Sequence, residues 1–454
     1  MPKLSKSICP KLLIPLKFWK YHSKSKIKSN MDKEFADFLV DVAASNIDST
    51  TIIINVDEIV KKIVRWSEKM AEIDPFYFVQ CNPHPLIISI MSAFNISFSC
   101  SSVAEIERVL SISEKSRIII SSLHKTQDLL KSSSKYNIEF LAADCDFELL
   151  KIKSMAPKAN VLLRLQMPRK RSEKMGLESL PTTKDLKYGL FSRAQIDRMF
   201  HIAKESSIEI TGVTFNVGTN CQDPELFDLA VDEAIKLFDI GLAKQVDMWL
   251  LNIGGGFPST FISQSENDYF SKMSRVIEKA QRREKIKIIA EPGRYFVESS
   301  VWLMVRIIGK RVIESINGDQ YCHYHVNESI FGLLSVYANR ESLPPPHPFY
   351  DKQSPRNYVS TVIWGKNGST DDLIMSDIVL PELVIGEYLA FQQCGAYLPH
   401  TNLTGLPNDK DSQPTAKYFA SQKTQSILKN KGVIWSDLMK KLESYDWERK
   451  ILLT

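Results

Sequence analysis

The chain has 454 residues, 44% hydrophobic and 24% charged, the balance of an ordinary globular protein with room for two or three domains, or one large barrel and a second domain. The formal charge of +5 is uneven: residues 1–30 hold eight lysines and no acid, which leaves the rest at about −3. A mildly acidic body without a nucleic-acid-binding signature argues against DNA or RNA as a partner.

The leader, MPKLSKSICPKLLIPLKFWKYHSKSKIKSN, has an apolar stretch from Leu12 to Trp19 that is broken by Pro15 and Lys17. It is too short for a membrane span and poor as a signal-peptide core. Its cations are all lysine, and Pro10 and Pro15 break any amphipathic helix, so an organelle presequence is disfavoured. Residues 1–34 are expected to be a disordered basic extension, and Met31 could serve as the working start. The seven cysteines, Cys9, Cys81, Cys100, Cys145, Cys221, Cys322 and Cys394, form no CxxC pair, so reduced thiols in a cytoplasmic protein are expected. His323 and His325 alternate along a strand-like run, but no third ligand is close in sequence and no metal site is predicted.

From residue 50 to 295, apolar strand-like runs alternate with helix-like segments. The runs are Phe76–Gln80, Ile96–Cys100, Arg117–Ser121, Ile138–Ala142, Val161–Leu165, Gly212–Val217, Trp249–Ile253 and Ile286–Glu291. Val103–Leu110, Gln195–Ser206 and Asp223–Phe238 space apolar residues three and four apart, and in the last Leu226, Leu229, Ala230, Ala234 and Leu237 share a face. Eight strands separated by helices predict a parallel (β/α)8 barrel of the TIM type, over 35–295. After Arg294 the runs Val301–Ile308, Tyr321–Asn327, Tyr358–Trp364 and Glu387–Gln392 follow without long helices between them, a β-rich domain over 296–420. Leu343–Pro355, with five prolines, is predicted as a loop, and Thr51–Asn55 could join either domain. Residues 421–454 are predicted as a helical tail, with Trp435, Leu438, Leu442 and Trp447 on one face.

In such a barrel, functional groups collect at the carboxyl ends of the strands. Three motifs fall there. Gly254-Gly255-Gly256-Phe257-Pro258 lets the backbone approach a phosphate and turn N–H groups toward it. Glu291-Pro292-Gly293-Arg294 offers a carboxylate for a protonated ring nitrogen, with Gly293 and Arg294 as further phosphate donors. Thr214-Phe215-Asn216-Val217-Gly218-Thr219 adds hydroxyls. Taken alone, a glycine run is more often a tight turn, and this one lacks the spacing of a dinucleotide fingerprint.

The order of the motifs is specific. Phe76-Tyr77-Phe78-Val79-Gln80-Cys81-Asn82 resembles the lysine strand of eukaryotic ornithine decarboxylases and antizyme inhibitors. Phe98-Ser99-Cys100-Ser101-Ser102, Leu163-Arg164-Leu165, Gly212 to Thr219, the glycine and Glu291 motifs, Val326-Asn327-Glu328, Ile363-Trp364-Gly365, Leu380-Pro381-Glu382 and Gly395-Ala396-Tyr397 follow in that family's order, over roughly residues 35 to 420. The resemblance implies a pyridoxal phosphate barrel followed by a β domain, with active sites shared across a head-to-tail homodimer.

The departures point away from catalysis. The family's Schiff-base lysine aligns with Gln80, whose amide nitrogen is not nucleophilic because its lone pair is delocalised. Asn216 stands where the family places a ring-stacking histidine, Ser99 replaces an aspartate, and Glu328 replaces the aspartate that takes the substrate's distal amine. The family's trans cysteine falls at Gly368 and its adjoining aspartate at Ser369, though Asp371 or Asp372 could shift inward. Arg164, Thr219, Gly255, Gly256, Glu291, Gly293, Arg294 and Tyr397 remain as the cofactor-side set, so the resemblance implies pyridoxal phosphate bound non-covalently at most. The expected function is a non-catalytic, antizyme-inhibitor-like regulator of polyamine metabolism, with antizyme or an active paralogue as partner. The antizyme-facing region would be Lys125 to Glu148, with Lys125, Lys131 and Lys135 as candidate contacts. The alternatives are an active decarboxylase of ornithine or another basic amino acid, making putrescine, and a subunit that modulates an active paralogue.

Overall fold

The computed structural model describes residues 32–45, 47–167, 187–262, 264–282, 286–314, 320–337, 344–350, 355–398 and 414–443. The expected extension lies almost wholly outside them, as do Cys9 and Trp447. Helix α1 (Lys33–Ala44) and strand β1 (Thr51–Asn55) come first, and α2 (Val56–Lys69) leads into the barrel. The barrel strands are β2 (Ile73–Phe78), β3 (Ser97–Cys100), β4 (Ile118–Ile120), β5 (Phe140–Ala143), β6 (Asn160–Arg164), β7 (Ile210–Thr214), β8 (Leu250–Asn252) and β9 (Lys287–Ala290). They are joined by α3 (Pro85–Ala93), α4 (Val103–Ile112), α5 (Gln127–Lys135), α6 (Asp146–Met155), α7 (Arg193–Glu205), α8 (Glu225–Ala243) and α9 (Glu266–Gln281). Every neighbour pair is parallel, and β2 closes the ring against β9 through Ile73 and Ile288.

Side-chain alternation along these strands builds the site. Phe76, Ile119, Leu162, Leu250 and Ile289 form one apolar cluster. Two residues further along four of those strands, on the same inward face, stand Ser121, Arg164, Asn252 and Glu291. The barrel therefore has a packed apolar floor and a polar mouth at its carboxyl end. The outward residues of the same strands, such as Tyr77, Phe98 and Val213, pack under the helices in the main core.

The second domain is a mixed sheet entered through the short helix α10 (Arg294–Val297). Its strands are β10 (Val301–Glu314), β11 (Gln320–Val326), β12 (His347–Phe349), β13 (Tyr358–Trp364), β14 (Leu373–Pro381), β15 (Tyr388–Phe391) and β16 (Thr415–Phe419). The order is β12-β15-β10-β11-β13-β14; β1 pairs antiparallel with β10 and parallel with β16, so the strand that the sequence left open belongs to this sheet. Helix α1 covers it, packing Phe35, Leu39 and Val42 on Ile53, Trp302 and Met304. Helices α11 (Gln422–Asn430) and α12 (Trp435–Glu443) follow.

Two readings of the sequence change. The proline-rich stretch expected as a loop contains β12, in which Pro348 pairs with Leu389 at the edge of the sheet, where a missing N–H breaks no ladder. In α8 the buried face is centred on Phe227, Ala230, Val231, Ala234 and Leu237, while Leu229 is 37% exposed. Among the described residues no helix is long and apolar enough to cross a membrane.

Candidate functional site

The mouth is built around Glu291. Its carboxylate is 7% exposed and takes one hydrogen bond per oxygen: Ser99 Oγ donates to Oε2 at 2.6 Å and Asn252 Nδ2 to Oε1 at 2.6 Å. Ser99 also lies 2.9 Å from Ser121 Oγ. Asn252 turns its other end to the Gly254 N–H, at 2.9 Å, and so ties the glycine run to the carboxylate. The Arg164 guanidinium is held below its usual pKa by burial, opposed by the charges of Glu291 and Asp144.

The glycine run is required by its backbone. Gly254 and Gly256 have φ of 67° and 102°, and a Cβ at Gly254 would sit 2.1 Å from the Phe215 carbonyl oxygen. The run thereby packs on the loop after β7. There the Asn216 side chain accepts the Gly218 N–H at 2.8 Å, a local turn that holds its amide against the backbone. Gly293 is needed for close approach, since a Cβ there would meet that of Cys81 at 2.7 Å.

Gln80 sits in the single 3-10 turn Val79–Cys81 that ends β2, with its side chain exposed at the mouth. The turn is stapled to the second domain. Tyr77 Oη donates to the Asn82 carbonyl at 2.8 Å, Asn82 Nδ2 donates to the Gly395 carbonyl at 2.9 Å, and the Tyr397 N–H reaches the Cys81 carbonyl at 2.6 Å. Tyr397 is thus brought beside Gln80, with burial pushing its phenol up to about 12. The Arg294 guanidinium lies over its ring, 5.3 Å from the centroid. Arg294 Nε donates to Thr219 Oγ1 at 3.2 Å and Nη1 to Glu298 Oε1 at 2.5 Å.

The remaining predicted positions lie in the second domain. Glu328 is buried and points into its own loop: Oε1 accepts the N–H groups of Ser329 (2.9 Å) and Leu333 (3.2 Å), and burial raises its carboxyl above the usual range. Gly368 and Ser369 lie in the turn between β13 and β14, and a Cβ at Gly368 would meet open space. Asp372 is committed to the same turn, accepting the N–H groups of Ile330 at 3.0 Å and Asn367 at 2.8 Å. Asp371 is exposed on it. His323, on β11, accepts the Trp364 indole N–H at 3.0 Å and stacks on that ring.

One predicted surface residue is not on the surface. Lys125 is 3% exposed and donates to the Leu123 and Ala142 carbonyls and to Glu148. Only Lys131 and Lys135 of the three lysines are exposed, on α5. Sequence spacing also missed Phe147 and Leu150 on α6, which are 77% and 47% exposed. They are exposed because α6 turns inward through Glu148, Leu149 and Ile152. A further grouping at the mouth, His124, Asp144 and Cys145, joins two separate strand ends and carries no spacing signal.

The set tests unevenly against a pyridoxal phosphate ligand. The Glu291 carboxylate suits a protonated ring nitrogen. Gly255 and Gly256 have N–H groups without a protein acceptor among the described residues, Gly256 packs on Gly218, and the next residue, Thr219, presents its hydroxyl to Arg294, a set suited to a phosphate. Gln80 does not suit covalent attachment. A groove lined by Phe76, Arg117, Phe140, Trp249 and Lys287 opens at the opposite, amino ends of the strands, away from all of these groups.

This geometry defines a cofactor-type barrel mouth closed on one side by a β domain. Residues 56–298 match the family model for the pyridoxal-binding domain of pyridoxal-dependent decarboxylases, and the chain belongs to that family, in its ornithine decarboxylase and antizyme inhibitor branch. It is 30% identical to the ornithine decarboxylase of Rattus norvegicus over 377 residues, 79% of this chain and 78% of that protein. It is 30% identical to antizyme inhibitor 2 of Xenopus laevis over 355 residues, 75% of each chain. The crystal structure of the Paramecium bursaria Chlorella virus arginine decarboxylase superposes with a TM-score of 0.74 at 25% identity, covering 85% of this chain and all of that one.

Proposed function

We propose that this chain is a non-catalytic member of its family that acts by binding in polyamine metabolism, as an antizyme-inhibitor-like regulator. The observation that carries the reading is Gln80 at the end of β2, where the family's covalent anchor aligns. The second domain supports it: Gly368 offers no thiol from its exposed turn, and Glu328 has its Oε1 committed to the Ser329 and Leu333 N–H groups. Pyridoxal phosphate supplies an electron sink to decarboxylases when it is attached. Here Arg164, Thr219, Gly255, Gly256, Glu291, Gly293, Arg294 and Tyr397 would hold it non-covalently at most.

The surface left for a partner is α5 and the start of α6, with Lys131, Lys135, Phe147 and Leu150 exposed. Antizyme is the partner this reading favours. A second reading, assembly with another copy or with an active paralogue, is favoured by Tyr358, Val379, Val384 and Ile385, which are 66%, 58%, 51% and 61% exposed on the second domain. The test is carbon dioxide release from ornithine, lysine and arginine with saturating pyridoxal phosphate. Release at background level is expected from each. Robust release that Arg294→Ala abolishes would overturn the non-catalytic reading.

A further inference from the structure

We propose that Glu298 is a built-in counter-ion that occupies Arg294, so that this barrel mouth gains little from a ligand's phosphate. The inference deepens the reading above, in which any cofactor is held non-covalently. Glu298 follows Arg294 by one helical turn, at the end of α10. Its Oε1 lies 2.5 Å from Arg294 Nη1, and the two side chains are only 4% and 13% exposed. The backbone fixes the carboxylate's origin, because the Glu298 N–H bonds to the Arg294 carbonyl at 3.0 Å and its own carbonyl accepts the Gly395 N–H at 3.1 Å. Gly395 is itself clamped, since a Cβ there would sit 1.7 Å from the Val297 carbonyl oxygen.

The charge balance then decides what the mouth can take. Arg164 feels the charges of Glu291 and Asp144, and Arg294 is paired with Glu298, so both cations already have carboxylates before any ligand enters. Two directions of the Arg294 fork are already used, Nε on Thr219 and Nη1 on Glu298. A dianionic phosphate arriving at Gly255, Gly256 and Thr219 would stand beside a desolvated carboxylate of like sign, where repulsion is poorly screened. The opposing possibility is that Glu298 merely aims Arg294 at the phosphate. The two differ in sign: a positioning carboxylate raises phosphate affinity, and a resident counter-ion lowers it.

The experiment is equilibrium binding by calorimetry, on the full chain, of pyridoxal phosphate, pyridoxal and inorganic phosphate. Wild type is expected to bind pyridoxal about as tightly as pyridoxal phosphate, a comparison that needs no variant. Glu298→Gln, which keeps a hydrogen-bonding oxygen while removing the charge, is expected to tighten pyridoxal phosphate and inorganic phosphate by about tenfold or more and leave pyridoxal unchanged. The gain from Glu298→Gln is expected to disappear when Arg294→Ala is added to it, because the released guanidinium is what the phosphate would meet. If wild type prefers pyridoxal phosphate over pyridoxal by orders of magnitude, or Glu298→Gln weakens phosphate binding, the counter-ion proposal is overturned. Carbon dioxide release is a separate readout. Wild type that binds phosphate tightly yet releases none overturns the inference and leaves the non-catalytic reading standing; weak binding with robust release does the reverse.

Discussion

Lys125, in the loop between β4 and α5, and Glu148, in the first turn of α6, form a buried ion pair, with Nζ 3.1 Å from Oε1 and the two side chains 0% and 3% exposed. Two carbonyls complete the ammonium's bonds, and Lys151 takes the other carboxylate oxygen at 2.6 Å. Removing Lys125 leaves the buried Glu148 carboxylate with Lys151 alone, a loss of about 3 kcal/mol, the lower end for a broken buried pair. Lys125→Ala is therefore expected to lower unfolding stability by that amount. Lys131→Glu, on an exposed turn, should change it by less than about 0.5 kcal/mol. Urea unfolding of the two variants checks this, and equal effects would refute the assignment of Lys125 to the interior.

The same pair sets a pH dependence. Burial pushes the Glu148 carboxyl up, but the charge of Lys125 and the bond from Lys151 outweigh it and hold the group below its ordinary value of 4.5. A carboxyl whose folded pKa is depressed contributes its stability above the unfolded pKa and loses it as the pH falls through the folded one. The stability difference between wild type and Glu148→Gln should be constant from neutral pH down to about 4.5 and shrink below it. A difference that grows on acidification would reverse the sign assigned here.

Glu328 gives the opposite case. Its carboxyl is raised by burial, so the ionised form costs stability at neutral pH, while Oε1 holds the backbone of Ser329 and Leu333. Glu328→Gln keeps an acceptor without the charge and is expected to leave the thermal midpoint unchanged or higher. Glu328→Ala leaves two buried N–H groups without their acceptor and should cost about 1–3 kcal/mol. If both variants fold like wild type yet lose binding of a diamine, Glu328 faces ligand and the loop-holding role is wrong.

The barrel was legible because its strands are buried on both faces and read as apolar runs, such as Val161–Leu165 against the observed Asn160–Arg164. Strand β14 was missed because Ser376 and Asp377, with φ of 58° at Asp377, interrupt its alternation on a half-exposed face. The floor-and-mouth arrangement was half legible: spacing placed Glu291 at a strand end, but only the closed ring brings Ser99 and Asn252 onto it from 192 and 39 residues away. Lys125 was read as a surface lysine because its partner Glu148 lies 23 residues further on, beyond any helical spacing. Glu298 was passed over for a different reason. An i,i+4 carboxylate beside an arginine is common on helix surfaces, and only its burial makes it informative.

Gln80→Lys tests how much of the lost chemistry resides in one atom. The exposed position at the mouth gives a lysine there room to reach an aldehyde beside Glu291 and the glycine run. Borohydride reduction followed by intact mass measurement is expected to show pyridoxal phosphate joined to the variant and not to wild type. Turnover should stay orders of magnitude below that of an active family member, because residues that act as a unit are not additive and Asn216 and Gly368 remain. Near-family activity from the single change would mean that those two substitutions are not disabling.

The partner surface can be separated from the fold by the residues that the structure places outside. Lys131, Lys135 and Phe147 are exposed on α5 and α6, so their substitution touches no buried pair. Phe147 is 77% exposed on α6, an apolar side chain of the kind that anchors binding centres, and Lys131 and Lys135 are exposed on the preceding helix α5. The combined variant Lys131→Glu, Lys135→Glu, Phe147→Asp is expected to keep the wild-type unfolding midpoint. It should lose affinity for purified antizyme by about a hundredfold, since charge reversal and loss of an anchor both act at the interface. Capture of antizyme by wild type and not by the variant supports the regulator and this surface together. Equal capture by both moves the surface elsewhere on the chain. If wild type captures no antizyme but forms a stable complex with an active ornithine decarboxylase, the exposed side chains around Tyr358 and Ile385 become the interface, and the chain acts as a subunit.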